Sequence, residues 1–284
     1  MLLLLAAAIA IPRGLDLYMP VPDQNPITIE KIEQGRRLFF DRRLSRDGSV
    51  SCSSCHDPQR AYSDGRPLPV GVFGRGGRRN APALINRGYG KMFFWEGRST
   101  SLEEQVLKPI QDPNEMDLTL DEAAQKVGLP VNQISESLAS FVRSILSGDS
   151  RYDQFVNGDR NTLSIEEQAG LQLFRGKANC VACHVGPNFT DERLHNTGVA
   201  WREGSLTDAG AGIGNFKTPT LRETVRTAPY MHDGSLATLE DVVNFYNGGG
   251  RPNPNLDSDI HPLHLTPNER QEIIAFLRTL TPGD

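Results

Sequence analysis

The chain of 284 residues has no long hydrophobic run and no excess of positive charge. Its longest apolar stretch, residues 1–11, is shorter than the roughly 20 residues that a membrane-spanning helix needs. Lys and Arg total 30 against 35 Asp and Glu, and the net charge of −5 argues against nucleic acid as a partner. With 38% hydrophobic and 23% charged residues, the chain is expected to form a globular protein with a core.

Cysteine is also scarce, and all four cysteines lie in two short motifs. Residues 52–56 read CSSCH and residues 180–184 read CVACH, and C-x-x-C-H is the attachment site of c-type haem. A redox dithiol or a zinc ribbon also uses paired cysteines, but neither needs a histidine directly after the second cysteine. The motifs therefore predict two covalent haems, which leaves no disulfide within the chain. The predicted attachment and proximal ligand residues are Cys52, Cys55, His56, Cys180, Cys183 and His184.

Haem attachment predicts that the protein is exported, because c-type cytochromes mature on the outer side of the bacterial inner membrane. Residues 1–22 are predicted to be a signal peptide or an N-terminal segment. The apolar residues 1–11 resemble the hydrophobic core of a signal peptide, although no basic residue precedes them and Arg13 follows them. A buried N-terminal segment is the alternative. The export interpretation predicts a periplasmic protein with no membrane span after removal of the signal.

Two stretches around the motifs occur twice. Residues 35–39 (GRRLF) match 170–174 (GLQLF), and residues 140–145 (SFVRSI) match 275–280 (AFLRTL). Apolar residues at helical spacing and capping boxes that begin at Ser164 and Thr266 predict amphipathic helices there. The pattern predicts a mainly α fold of two tandem cytochrome-c-like domains, each with one covalently bound c-type haem. The predicted bounds are 1–22 for the N-terminal segment, 23–160 for the first domain and 161–284 for the second.

Histidine is absent from residues 57–183, so the first domain has no second histidine for its own haem. Its internal methionines are Met92, interpreted as a core residue of an aromatic run, and Met116, which is a weaker candidate for ligation. The simplest interpretation is an open sixth site on the first haem, haem 1. The glycine- and arginine-rich residues 71–77 lack a nucleotide-binding spacing and are interpreted as a mobile loop near the haem edge.

An open haem site needs acid–base groups near it. Glu115 precedes a helix predicted to begin near Thr119, and it is either a solvated loop charge or a proton shuttle for the cleavage of bound peroxide. Gln105 is either an ordinary helix-surface residue or a hydrogen-bond donor to a bound oxygen species. Trp95 is either a core residue or an electron relay between two irons. The residues alone leave these alternatives open.

The chain resembles the bacterial di-haem cytochrome c peroxidase family, and within it the MauG-like branch, over about residues 28–281. The resemblance rests on the two C-x-x-C-H motifs and on RRNAPAL at 78–84, FFWEGR at 93–98, DPNEM at 112–116, FKTPTLR at 216–222 and APYMHDGSLATLEDVVNFYNGG at 228–249. It implies that haem 1 is a high-spin peroxidatic site and that the second haem, haem 2, is an electron-transfer site.

The resemblance also implies roles for single residues. Glu115 matches the family's catalytic glutamate, and Gln105 and Pro109 match distal-pocket positions. Trp95 matches the tryptophan between the haems. Members that need reductive activation carry a distal histidine in the loop after the first motif, and this chain has none there. The resemblance therefore implies an enzyme that is ready in its oxidised resting state.

A calcium ion between the domains is a further implication of the resemblance. Asn80 would supply its side-chain oxygen, and Thr227 and Pro229 would supply backbone carbonyls. Ligation by oxygen alone suits a hard cation such as Ca²⁺, although these residues would not have suggested calcium without the resemblance.

The sixth ligand of haem 2 separates the branches of the family. The candidates are His195, Met231, His232, Tyr246, His261 and His264. Met231 is attractive by its chemistry, since methionine is a common haem ligand, whereas His195 is expected near a haem propionate. The resemblance points to Tyr246, fourteen residues after His232, where the MauG-like branch has tyrosine and ordinary members have methionine. From spacing alone, Tyr246 would be a residue at a helix end.

Taken together, the resemblance implies a periplasmic oxidoreductase that reduces hydrogen peroxide at haem 1 and takes electrons through haem 2 from a protein donor. In MauG-like proteins the donor can be aromatic residues of a partner protein, which are thereby modified. The alternative is detoxification of hydrogen peroxide with a small cytochrome c or a cupredoxin as donor. A non-catalytic di-haem electron carrier or redox sensor is the second alternative, and it predicts two six-coordinate low-spin haems.

Overall fold

The computed structural model describes residues 9–283, in which α-helix is the main regular structure, as predicted. Part of the predicted signal segment, residues 1–8, lies outside the described residues. No helix of the described part is long and apolar enough to cross a membrane. The helices are α1 (Ile29–Phe39), α2 (Leu102–Gln105), α3 (Lys108–Gln111), α4 (Leu120–Val127), α5 (Val131–Ser144), α6 (Arg151–Val156), α7 (Ile165–Arg175), α8 (Leu239–Asn247) and α9 (Pro267–Arg278).

Within residues 9–283, short 3₁₀ turns and four two-residue strands connect these helices. The strands form two antiparallel pairs: β1 (Leu194–His195) pairs with β4 (Phe216–Lys217), and β2 (Trp201–Arg202) pairs with β3 (Ser205–Leu206). Both C-x-x-C-H motifs begin in 3₁₀ turns, at Cys52–Ser54 and Cys180–Ala182.

The chain divides into two compact units. The first consists mainly of Asp16–Phe93 and Ser99–Leu146, and the second contains Pro12–Leu15, Phe94–Arg98 and the chain from Ser147 onward. This division falls before the boundary at 160/161 that the sequence suggested. The reason is α6, whose aromatic residues pack on the second core: Tyr152 contacts Phe276 with ring centroids 5.7 Å apart.

Residues near the chain start also belong to the fold. The backbone carbonyl of Gly14 accepts a hydrogen bond from Arg222 at 2.8 Å, and Arg13 forms an ion pair with Asp149 at 2.7 Å. Tyr89 donates its hydroxyl hydrogen to the carbonyl of Asp16 at 2.7 Å. Cleavage after residue 22, the predicted end of the signal segment, would remove all three contacts.

The first unit is built on the packing of α1 against α5. The hydroxyl of Thr28 caps α1 by accepting a hydrogen bond from the backbone of Lys31. The helix buries Leu38 and Phe39, and the ring of Phe39 lies 5.1 Å from that of Phe141 on α5. A Cβ at Gly35 would overlap the backbone carbonyl of Ser137, so the glycine allows the two helices to approach closely.

The second unit repeats this arrangement with α7 and α9. The predicted capping boxes at Ser164 and Thr266 are confirmed. The ring of Phe174 lies 5.1 Å from that of Phe276, and a Cβ at Gly170 would overlap a backbone carbonyl of α9. The repeated G-x-x-L-F sequence thus encodes a helix–helix contact in which the glycine faces a backbone and the phenylalanine faces a ring.

The variant Gly170→Ala is expected to destabilise the folded protein by about 3 kcal/mol, because the new methyl group must push two packed helices apart. Gly35→Ala should have a similar effect in the first unit. The midpoint of urea unfolding of the haem-loaded protein measures the change. Gly76→Ala is the matched control, since a Cβ at Gly76 meets no atom within 4 Å. Equal midpoints for Gly170→Ala and Gly76→Ala would contradict the close-approach argument.

A third repeat, at residues 80–86 and 217–223, becomes evident only in the structure. Asn86 and Glu223 both adopt positive φ, at 57° and 53°, and both cap a 3₁₀ turn. Each backbone N–H donates to a carbonyl just after the closing helix, at 2.8 Å for Asn86 and 3.3 Å for Glu223. The two segments therefore occupy the same position in the two units, which makes Ile85 the counterpart of Arg222.

Candidate functional site

The first motif presents His56 in a form that suits metal binding. Nδ1 of His56 lies 2.8 Å from the backbone carbonyl of Tyr62, to which it donates a hydrogen bond. Burial lowers the pKa of His56, so the ring is neutral with its proton on Nδ1. Nε2 is then the nitrogen that can bind iron, and the carbonyl fixes the ring orientation.

The second motif has the same geometry. Nδ1 of His184 donates to the backbone carbonyl of Phe189 at 2.9 Å, and burial lowers the pKa of His184. Phe189 adopts φ 50°, and Tyr62 adopts φ 58° at the matching place in the first unit. Both histidine loops therefore turn sharply to bring a carbonyl back to the imidazole.

The thiols of Cys52, Cys55 and Cys180 lack the lowered pKa of a reactive dithiol. Burial raises the pKa of Cys52, Cys55 and Cys180 to about 12, whereas reactive C-x-x-C thiols have lowered pKa values. All four cysteines are half-buried and none forms a disulfide. The raised pKa values of Cys52, Cys55 and Cys180, beside neutral histidines, fit a covalently held haem better than a reactive dithiol.

Glu115 lies within electrostatic range of the first motif. Besides burial, the charge of Glu115 raises the pKa of both Cys52 and Cys55. The half-buried Glu115 sits in a turn in which its N–H donates to the carbonyl of Asp112 at 3.0 Å. The fold thus brings the predicted acid–base residue to the predicted haem 1 motif.

The other distal-pocket candidates lie on the two short helices before this turn. Pro109 is in the first turn of α3, and its carbonyl accepts a hydrogen bond from the N–H of Met116 at 3.2 Å. Gln105 is the last residue of α2 and is half-buried. Met116 is buried and Met92 is half-buried. Pro109 and Glu115 therefore belong to one hydrogen-bonded segment.

Residues 71–75 support the turn that contains Glu115. The sequence did not predict this support. The N–H of Val72 donates to the carbonyl of Glu115 at 2.9 Å. Arg75 donates to the carbonyl of Pro113 at 2.6 Å and pairs with Asp117 at 3.0 Å. The predicted mobile loop is thus joined to the Glu115 turn by backbone and side-chain bonds.

Three of the candidate ligands of haem 2 are engaged or exposed. His195 has a carboxylate at each ring nitrogen, Asp257 at 2.5 Å and Asp191 at 2.8 Å, and His261 and His264 are exposed. The Cys183 thiol and then the two carboxylates outweigh desolvation and raise the pKa of His195 to about 10. Carboxylates of the chain itself therefore flank His195, which was expected near a propionate.

The ring of His232 is also engaged by another side chain. It is buried and stacks on the ring of Phe216, with ring centroids 3.6 Å apart and an interplanar angle of 12°. Met231, the residue before it, is half-buried and has φ 72°.

Tyr246 lies on α8, close to the second motif. A capping box of Thr238 and Asp241 begins this helix. Burial, reinforced by the charges of Cys183 and Cys180, raises the pKa of Tyr246 to about 12 against an opposing hydrogen bond with Thr197. The phenol is therefore within electrostatic range of both thiols of the second motif, and binding to iron would displace its proton.

The remaining predicted residues have defined surroundings. The backbone carbonyl of the half-buried Trp95 accepts a hydrogen bond from the N–H of Lys217 at 2.6 Å. Asn80 is buried and donates its amide hydrogens to the carbonyls of Arg66 at 2.8 Å and Pro67 at 3.3 Å. Its amide oxygen is the atom that the calcium prediction requires.

Thr227 and Pro229 are half-buried. The hydroxyl of Thr227 donates to the carbonyl of Thr224 at 3.1 Å. The calcium site formed by their carbonyls and Asn80 stays a prediction.

Comparisons with known proteins agree with this chemistry. A family model described as di-haem cytochrome c peroxidase matches residues 29–129. Methylamine utilization protein MauG of Methylorubrum extorquens is 35% identical over 92% of this chain and 81% of its own length. Cytochrome-c peroxidase IdrP1 of Denitromonas iodatirespirans is 33% identical over 93% of this chain and 84% of its own length.

Among solved structures, a MauG-like protein associated with microbial copper homeostasis is 35% identical with a TM-score of 0.83. That match covers 97% of this chain and 93% of the other. The sequence and structural relatives are similar to this chain over nearly its whole length. The chain therefore belongs to the di-haem cytochrome c peroxidase family, and it is a peroxidase-type oxidoreductase with haem as its cofactor.

Proposed function

We propose that the chain is a periplasmic di-haem enzyme of the MauG-like kind, built from two cytochrome-c-like halves with one covalent haem c each. It reduces hydrogen peroxide at haem 1 and takes electrons through haem 2 from a protein donor. The observation that carries the proposal is the difference between the two motifs. Glu115, a carboxylate, lies near the first pair of thiols, and Tyr246, a phenol, lies near the second.

In the proposed reaction, H₂O₂ takes up two electrons and two protons and yields two molecules of water. Haem supplies the iron that binds peroxide and accepts its oxidising equivalents. Glu115 moves a proton from the inner to the outer oxygen of peroxide, so that water can leave. Gln105 would donate a hydrogen bond to the peroxide, and Pro109 holds the Glu115 turn through its carbonyl, which accepts the N–H of Met116.

The second unit would hold oxidising equivalents until a donor is oxidised. His184 and Tyr246 would hold the iron of haem 2, and the identity of the ligands is a main control of haem potential. A phenolate is a hard anionic ligand and stabilises a higher oxidation state than a thioether does. Trp95 would carry electrons between the two haems. The proposed donor is an aromatic residue of a partner protein, which is modified as it loses electrons.

Detoxification of hydrogen peroxide with a small cytochrome c or a cupredoxin is the second candidate function. It is favoured by the similarity to proteins named cytochrome c peroxidase at 33% identity. Turnover of peroxide with reduced cytochrome c separates the two functions. Fast turnover supports detoxification, whereas negligible turnover and a long-lived oxidised enzyme support modification of a partner.

The resting ferric protein is expected to show one high-spin and one low-spin EPR signal, and its mass is expected to include two haems. Replacement of Cys52 and Cys55 by serine should remove one haem and the high-spin signal. The same change at Cys180 and Cys183 should remove the other haem and the low-spin signal. Two low-spin signals in the unmodified protein would contradict an open haem 1 and would support an electron carrier or sensor.

A further inference from the structure

Arg222 is the largest side chain that the described part of the second unit buries completely, with 1% exposure. Its guanidinium forms a bidentate ion pair with Asp153, at 2.8 and 2.9 Å. Nε donates to the backbone carbonyl of Pro187 at 2.7 Å, and Nη2 also donates to the carbonyl of Gly14 at 2.8 Å. A buried charge with this many partners has one fixed position.

Pro187 lies in the loop that follows His184, and other residues near Arg222 contact the same loop. The hydroxyl of Thr220 lies 2.7 Å from the carbonyl of Asn188 and 3.0 Å from its side-chain oxygen. Thr190 donates its hydroxyl hydrogen to the carbonyl of Thr218 at 2.7 Å. Residues 218–222 therefore contact the His184 loop at three of its residues.

The next residue of this loop carries the atom that orients the imidazole. Pro187 and Asn188 directly precede Phe189, whose carbonyl accepts the hydrogen bond from Nδ1 of His184 at 2.9 Å. The contacts from Arg222 and Thr220 are thus one or two residues away from the acceptor. They restrict movement of the carbonyl relative to the ring.

The first unit has no matching guanidinium at this place within the described residues. Ile85, which is 2% exposed, stands where the second unit has Arg222. The His56 loop closes on its own backbone, with Asp57 N–H donating to Ser63 at 3.0 Å and Tyr62 N–H donating to Asp57 at 2.9 Å. A buried arginine therefore supports the His184 loop, whereas the matching residue near the His56 loop is the apolar Ile85.

We propose that Arg222 and Thr220 are positioning residues for the axial bond of His184. The inference rests on the proposed function, in which His184 binds the iron of haem 2. When the ring nitrogen that does not bind the metal donates a hydrogen bond, the histidine ligand becomes more basic and its orientation is fixed. A more basic ligand favours ferric iron, so a fixed Phe189 carbonyl keeps the potential of haem 2 low.

The variant Thr220→Val tests this role without leaving a buried charge unpaired. The ferric–ferrous equilibrium of haem 2 is expected to shift about tenfold toward ferrous iron, which is about 59 mV for one electron. The low-spin EPR g values should change, while the high-spin signal stays the same. Thr207→Val is the matched control, because the hydroxyl of Thr207 bonds only to the carbonyl of Ala200 among the described contacts, at 2.8 Å.

Arg222→Met and Arg222→Lys complete the series. Arg222→Met should shift the haem 2 potential further than Thr220→Val, and Arg222→Lys should restore part of the change, since lysine keeps the charge beside Asp153. If Thr220→Val and Arg222→Lys both leave the haem 2 potential and low-spin spectrum at their original values, the positioning role is wrong. Absence of haem at residues 180–184 of the unmodified protein would instead contradict the proposed function.

Discussion

Glu115→Gln is expected to lower the turnover of hydrogen peroxide by about 10²–10⁴-fold, the usual contribution of a positioned proton-transfer group. Glutamine has nearly the same size as glutamate and cannot carry the proton. The backbone bonds that hold the turn, from Glu115 to Asp112 and from Val72 to Glu115, do not involve the side chain. Both haems should therefore remain attached, and the loss should appear in kcat for peroxide.

Glu33→Gln is the control for this change. Glu33 lies on α1 of the same unit and is 48% exposed, where it pairs with Arg36. Its replacement should leave peroxide turnover unchanged. Steady-state kinetics with a chemical electron donor measures both variants. Turnover of Glu115→Gln within a factor of two of the original enzyme would remove Glu115 from the mechanism.

Tyr246→Phe is expected to abolish the low-spin EPR signal of the resting protein and to leave haem 2 five-coordinate. Phenylalanine fills the same space on α8 but offers no oxygen to the iron. Haem content should stay at two, because Cys180, Cys183 and His184 are unchanged. Oxidation of a partner protein should be lost, since the ligand that stabilises the oxidised state of haem 2 is absent.

Tyr230→Phe is the matched control in the same unit. Tyr230 is also half-buried, burial raises its pKa to about 12, and its hydroxyl donates to the carbonyl of Thr224 at 3.0 Å. The low-spin signal should survive this change. Met231→Leu addresses the alternative ligand. A low-spin signal that disappears with Met231→Leu and persists with Tyr246→Phe would reverse the assignment.

The elements that the sequence predicted well are those with local signals. Capping boxes at Ser164 and Thr266 predicted the starts of α7 and α9, and the apolar spacing predicted the faces that α5 and α9 bury. The C-x-x-C-H motifs predicted haem because haem attachment needs two cysteines and a histidine within five positions. Glu115 was identified through the family resemblance, and its proximity to Cys52 and Cys55 required the fold.

The elements that the sequence did not predict depend on contacts between distant residues. Arg222 lies 69 residues from Asp153, and nothing in either neighbourhood indicates a buried ion pair. The support of Glu115 by Val72 is a backbone contact, which no side-chain pattern records. The compact units divide at residue 147, before the predicted boundary at 160/161, because the short helix α6 packs on the second core through a few aromatic side chains.

The loop of residues 71–75 has a consequence for engineering. It supports Glu115 through the main-chain bond from Val72 and through the side chain of Arg75, so only the side chain at its tip, Phe73, can change without moving the carboxylate. Gly71 and Arg75 must be kept, because a Cβ at Gly71 would overlap the carbonyl of Asn114 and Arg75 bonds to Pro113 and Asp117. Phe73, 57% exposed at the tip, is a position for randomisation or for attachment of a probe next to the proposed reaction site. New specificity for peroxides or donors can therefore be sought in this loop while Glu115, the proposed proton-transfer group, stays in place.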